Sequence, residues 1–165
     1  MLRRVDPQKR RGPLYRAFAK FAGTRFMGWV SRTVAWKLDP WLMRRTNGRV
    51  KTGMGFPMAL LETTGAKSGA RRENGVIYFH DGENVIVIAS KMGMPENPAW
   101  FYNAKAHPDV AMNGEPYTAQ VVSDDAERTR LWALADQVFP PFATYRERTA
   151  ATGRTIPILK LVPNG

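Results

Sequence analysis

Between Met58 and Ala89 three short apolar runs follow one another with no room for a helix between them. The runs are Met58 to Thr63, Asn74 to Phe79, and Val85 to Ala89. A Gly-rich loop joins the first two, and a tight Asp81-Gly82 turn joins the last two. Strands connected this closely pair antiparallel, because a parallel neighbour needs a long crossover. The chain is thereby committed to a meander.

The later elements are compatible with that start. Ala99 to Ala106 reads as a short helix after Pro98. Val110 to Met112 and Tyr117 to Val122 pair across Asn113-Gly114. Ser123-Asp124 caps a helix from Asp125 to about Val138, with Glu127 placed as in a capping box. Pro140-Pro141 ends it, Phe142 to Thr149 adds a turn or two of helix, and Ile156 to Val162 is a last strand. Antiparallel runs without βαβ alternation predict an α+β domain, a barrel or strongly curved sheet closed by the last strand.

Charge divides the chain. Residues 1–51 hold 14 Lys/Arg against two acids, Asp6 and Asp39, a net +12. Residues 52–165 hold 11 Lys/Arg against 12 acids, a net −1. The expected organisation is a basic N-terminal segment, 1–51, and a nearly neutral domain, 52–165. Residues 1–12 are expected to be mobile. Pro13 can open an amphipathic helix to about Lys37, with Tyr15, Phe18, Ala22, Phe26, Trp29, Val30, Thr33 and Trp36 forming one apolar stripe. A short piece, Trp41 to Arg45, and a linker around Gly48 and Gly53 follow. Two readings of this segment stay open. It can contact an anionic membrane surface, or the stripe can dock on the domain. Nucleic acid is not an expected partner, since the cations do not spread over the domain.

There are no cysteines, which excludes disulfides, zinc–thiolate sites and thiol nucleophiles and makes a reducing cytoplasm the default expectation. His80 and His107 are read as surface residues, and no metal site is expected from two histidines. No apolar run reaches the length of a membrane span.

Chemistry concentrates in three places. Thr63-Thr64-Gly65-Ala66-Lys67-Ser68-Gly69-Ala70-Arg71-Arg72 combines glycines, hydroxyls and cations. It reads either as a phosphate- or carboxylate-binding turn or as a solvated hairpin tip, and it is not a Walker A loop. Ser90-Lys91-Met92-Gly93 follows the most apolar strand, where it can meet a second part of the same ligand or be an ordinary loop. Asn97-Pro98-Ala99-Trp100 can cap and start a helix, with Trp100 read as core. No nucleophile elbow or triad is visible. An anion-binding loop without a catalytic group fits an enzyme whose chemistry resides in an organic cofactor.

In this order TTGAKSGARR, VIVIASKMG, NPAWFYNAKAHPDV and RTIPILKL resemble the deazaflavin-dependent nitroreductase family over about Pro57 to Pro163. The resemblance implies a split β-barrel related to flavin reductases, with peripheral helices and, here, the basic amphipathic helix in front. It implies hydride transfer from reduced 8-hydroxy-5-deazaflavin coenzyme (F-420) to a quinone-like, nitro or other activated acceptor, with FMN as the rival cofactor. Lys67, Ser68 and Arg72 would hold the coenzyme's phosphate and oligoglutamate tail, and Arg71 would add positive potential. Ile88, Ala89, Ser90, Lys91 and Gly93 would line the ring, and Asn97, Pro98 and Trp100 the neighbouring wall. A tyrosine-rich substrate segment of relatives aligns with Phe139, Phe142 and Tyr145, leaving Tyr145 as the candidate proton donor. The alternative to an enzyme is a deazaflavin or flavin carrier. Association at the inner face of the cell membrane and homodimerisation are further expectations.

Overall fold

The computed structural model describes residues 2–9, 11–15 and 56–164. The expected helix to Lys37, the Trp41–Arg45 piece and the linker lie outside the described residues, except that 13–15 are helical. The elements are β1 (Met58–Thr64), β2 (Arg71–Asp81), β3 (Asn84–Ile88), a 3-10 turn at Lys91–Gly93, α1 (Ala99–Ala106), β4 (Asp109–Met112), β5 (Glu115–Val121), α2 (Asp125–Val138), α3 (Pro141–Ala150) and β6 (Ile158–Pro163).

The six strands close into an antiparallel barrel in the order β1-β2-β3-β6-β5-β4. Leu61↔Met112 and Glu62↔Ala111 shut it between β1 and β4. The last strand joins the meander to the β4–β5 hairpin, with Leu161 opposite Val85 on one side and Ala119 on the other. This is the α+β barrel expected from the turn spacing.

β2 runs further than its apolar stretch suggested. Its first part pairs with β1 from Arg71↔Thr64 to Ile77↔Met58, and its end pairs with β3 from Tyr78↔Val87 to Asp81↔Asn84. Main-chain pairing carries the ladder through Arg71 and Arg72, whose side chains are exposed, so side-chain polarity does not end the strand.

β3 is apolar throughout because both its faces are covered. Val85 and Val87 point into the barrel with Leu61, Tyr78, Met112, Leu159 and Leu161. Ile86 and Ile88 point outward beneath Leu131, Val138, Phe142 and Tyr145 of α2 and α3. Each such fully buried side chain contributes about 1.5–3 kcal/mol. α2 starts as expected, with Asp124 Oδ1 accepting from the Glu127 N–H at 2.7 Å. The Glu127 carboxylate accepts from Lys160 Nζ at 2.9 Å, tying the helix to β6. Asp81 grips α2 through a bidentate pair with Arg130 at 2.7 Å, and that hydrogen bonding holds its carboxyl below the usual range.

The expected mobile N-terminus is instead docked over residues 2–5. Leu2 is buried, its N–H donates to Glu115, and Tyr78 Oη donates to the Arg3 carbonyl at 2.8 Å. The His80 N–H donates to Val5 O at 2.9 Å, and His80 Nδ1 accepts from Val5 N at 3.1 Å. His80 is therefore a half-buried anchor rather than a surface residue. Burial lowers its pKa, and Arg4 adds to the effect.

Candidate active site

The 65–70 loop is a built turn. The Gly65 N–H donates to Ala70 O and the Gly69 N–H to Gly65 O, both at 2.8 Å. A Cβ on Gly65 would lie 2.6 Å from Ser68 Oγ and 3.2 Å from Ala70 O, so the turn closes only around glycine. Gly69 takes φ +65°, the left-handed region that glycine occupies without strain. Ser68 Oγ accepts from the Ala70 N–H at 3.3 Å, which leaves the hydroxyl proton for another partner. Asn103, buried on α1, fixes the turn from below. Its Oδ1 accepts from the Ala66 N–H at 3.0 Å, and its Nδ2 donates to Thr63 Oγ1 at 3.2 Å.

The three cations of this turn have different fates. Arg71 pairs with Glu62 and, at 3.7 Å, with Glu73. Lys67 and Arg72 are exposed, and among the described residues no carboxylate comes within 4.0 Å of either.

The second turn lies just ahead of the N-terminus of α1 in the chain. Lys91, Met92 and Gly93 take φ values of 46°, 55° and 74° in succession. Two of them carry side chains, and left-handed backbone at such positions costs about 1–3 kcal/mol each. Something outside the turn must hold it. Arg154 Nε donates to Asn97 Oδ1 at 2.8 Å, Nη2 to Ala89 O at 2.5 Å, and Nη1 to Ser90 O at 3.2 Å and to Met94 O. On the outer side α3 presses against the turn. A Cβ on Gly93 would lie 3.1 Å from both Tyr145 Cα and its carbonyl O, and 3.2 Å from Arg148 Cβ. Lys91 Nζ donates to Glu96 at 3.0 Å.

The expected substrate segment spans the junction of α2 and α3, with Phe139 capping α2 and Phe142 and Tyr145 on α3. Phe139, Phe142 and Tyr145 are buried and pack on each other, with ring centroids 5.0, 6.1 and 6.3 Å apart. Tyr145 Oη has no hydrogen-bond partner among the described residues, although the residue is only 6% exposed. A buried phenol left without a partner costs about 1–3 kcal/mol, a cost that a bound ligand can relieve. Burial raises its pKa and the Arg148 guanidinium, 5.7 Å from the ring, opposes that. At neutral pH it is an O–H donor.

The structure thus brings Ser90, Lys91, Gly93, Asn97 and Tyr145 into one neighbourhood. Lys67 and Ser68 lie on the separate turn that Asn103 holds, and Arg72 follows it in β2. The Ile88 and Ala89 side chains face the outer core and the barrel interior, so only their main chain is placed toward the turn. Pro98 is buried, and Trp100 packs in the barrel-end core, as read from sequence. Sequence reasoning assigned no role to Asn103 and Arg154. Asn103 closes an Asn-Pro-x-Trp-x-x-Asn string and falls one turn after Trp100. Arg154 lies in the late RTIPILKL string and carries no local signal of what it touches.

Residues 35–163 match the F420H(2)-dependent quinone reductase family. The chain belongs to that family. It is 35% identical over 144 residues to an F420H(2)-dependent quinone reductase of Mycobacterium tuberculosis, covering 81% of this chain and 95% of the relative. A solved structure described as an F420-H2 dependent reductase is 34% identical, with TM-score 0.56 over 64% of this chain and 93% of the other. Another, described as a domain-swapped dimer, is 29% identical, with TM-score 0.57 over 74% and 97%.

Proposed function

We propose that this chain is an oxidoreductase that reduces a quinone-type acceptor with reduced 8-hydroxy-5-deazaflavin coenzyme. The observation that carries the reading, beside family membership, is the hydrogen-bonded 65–70 turn with Lys67 and Arg72 exposed and without a carboxylate within 4.0 Å among the described residues. Lys67 and Arg72 supply charge to the coenzyme's phosphate and carboxylates, and Ser68 supplies its free hydroxyl proton. Arg71 contributes less, because Glu62 and Glu73 already hold it. The Ala89–Gly93 main chain and Asn97, Pro98 and Trp100 form the wall for the ring. When bound, the reduced coenzyme supplies the hydride. The protein's share is placement and exclusion of water, for which no nucleophile is required. Phe139 and Phe142 give an apolar wall suited to a quinone rather than a nitro group, and Tyr145 Oη holds the proton that an acceptor oxygen would take up.

Titration with deazaflavin and with FMN, followed by addition of a quinone and recovery of deazaflavin absorbance, tests this. Tight deazaflavin binding and turnover are expected. Preference for FMN would change the cofactor, and binding without turnover would make the chain a carrier. Lys67→Ala and Arg72→Ala should each weaken coenzyme binding by about 1.5–3 kcal/mol.

The +12 charge of residues 1–51 supports a second, separate reading, contact with an anionic membrane surface where apolar quinones partition. No helix among the described residues is long and apolar enough to cross a membrane. Salt-sensitive sedimentation of the full chain with anionic but not neutral vesicles is the expected result; equal sedimentation with both would remove the reading.

A further inference from the structure

We propose that Arg154 is a positioning residue that holds the two halves of the site, the Ser90–Gly93 turn and helix α3, at one fixed separation. The proposal rests on the reading above for its ligand, but not for its geometry.

The acceptors of Arg154 define the argument. Ala89 and Ser90 lie before the left-handed residues 91–93, and Met94 lies after them, so one guanidinium joins the entrance and exit of the turn. Asn97 Oδ1, the fourth acceptor, extends the grip to the start of α1. Inside the turn the Gly93 N–H donates to Ser90 O and the Met94 N–H to Lys91 O, both at 3.0 Å, and Arg148 Nη1 of α3 reaches Met92 O at 3.5 Å. On its own side, the Arg154 N–H donates to Thr149 O at 3.2 Å, near the end of α3. The same residue therefore bridges the turn and the helix that carries Tyr145. Four acceptors in different directions suit a planar fork of five donors, whereas a lysine offers three from one atom. Among the described residues Arg154 has no carboxylate within 4.0 Å, and its charge is met there by carbonyl and amide oxygens. Three of these bonds go to main-chain oxygens and one to the Asn97 amide, which is how a residue that need not touch the ligand would set where the ligand sits.

The experiment compares Arg154→Ala and Arg154→Lys with the unaltered chain. Amide hydrogen exchange, which needs no coenzyme, should accelerate at residues 90–94 by a factor of about 30 or more in Arg154→Ala, with less than about threefold change in β3. Single-turnover hydride transfer at saturating reduced deazaflavin should fall about 100-fold, as expected for lost orientation, while the acceptor KM stays within about twofold. Arg154→Lys should restore less than about a tenth of either loss. Unchanged exchange at 90–94 would overturn the proposal, as would full rescue by lysine, which would reduce the residue to a point charge. Equal acceleration through β3 would also overturn it, because the residue would then be a general stabiliser. If Arg154→Ala does not fold, Arg154→Lys alone decides between rescue and loss. An unaltered chain that binds no reduced deazaflavin would defeat the coenzyme reading, yet the exchange measurement would still decide the role of Arg154.

Discussion

The turn held by Asn103 of α1 and the turn that precedes α1 in the chain are built in opposite ways. The 65–70 turn is closed by residues within it, Gly65, Ser68, Gly69 and Ala70, with one buried amide, Asn103, beneath. Lys67 on it and Arg72 just after it are exposed, with no carboxylate within 4.0 Å among the described residues. The 89–97 turn is left-handed at three successive residues, strained at Lys91 and Met92, and is held from far along the chain by Arg154 and by Tyr145 and Arg148 of α3. The first is a local scaffold that displays charge. The second is a long-range clamp that displays main chain and spends its cation internally. A flexible anionic tail needs charge at a rough position, while a reacting ring needs a wall fixed within a fraction of an ångström.

Glycine substitutions give the sharpest contrast. Gly93→Ala combines φ +74° with contacts of 3.1 Å to Tyr145 backbone, and should destabilise by about 3 kcal/mol in urea unfolding. Gly69→Ala has φ +65° but nothing within 4 Å, and should cost about 1 kcal/mol. Equal costs would erase the distinction between clamp and scaffold. Next in size is the affinity difference among the three cations. Lys67→Ala and Arg72→Ala should weaken deazaflavin binding about tenfold or more, whereas Arg71→Ala should change it by less than about threefold. A larger loss at Arg71 would mean that its pairing with Glu62 and Glu73 breaks on binding. Asn103→Ala leaves Thr63 Oγ1 and the Ala66 N–H without their partner and should cost about 1.5 kcal/mol. Thr63 should then lose order before the 90–94 turn does, a difference visible by amide exchange.

The smallest effect is a pH dependence away from both turns. His80 accepts from Val5 through Nδ1, so it must be neutral there, and its folded pKa lies below the ordinary value. The unfolded chain therefore binds more protons between the two pKa values, and stability falls as pH drops below about 6.5 toward the folded pKa. Above the ordinary value this contribution should be flat. His80→Gln should flatten the acid limb of a melting-temperature profile; an unchanged profile would show that His80 does not titrate against folding.

The barrel was legible because its signals are local. Tight connections dictated antiparallel pairing, Asn113-Gly114 placed a hairpin, and Asp124 placed a helix start. The limits of β2 were not legible, since two partners extend its ladder past the apolar run into Arg71 and Asp81. The docking of residues 2–5 was hidden for a related reason. Leu2 and Val5 are too few to outweigh the surrounding charge in a composition argument, yet main-chain bonds to His80 and burial of Leu2 suffice to seat them. In the site, the cation turn could be read from its glycines and hydroxyls, but which cations stay free depended on cross-strand neighbours. Arg71 is spent on Glu62 across the β1–β2 ladder, and Lys67 and Arg72 are not.

By itself the sequence determined the antiparallel barrel, the cationic turn and the order of the family's strings, because turns, caps and two-residue alternation act between near neighbours. Only the tertiary structure decided that β3 is buried on both faces, that Tyr145 is a buried phenol without a hydrogen-bond partner among the described residues, and that Arg154 holds a turn some sixty residues before it. Those are contacts between segments far apart in the chain, and a guanidinium's choice of carbonyls is made by packing, which leaves no trace in local pattern.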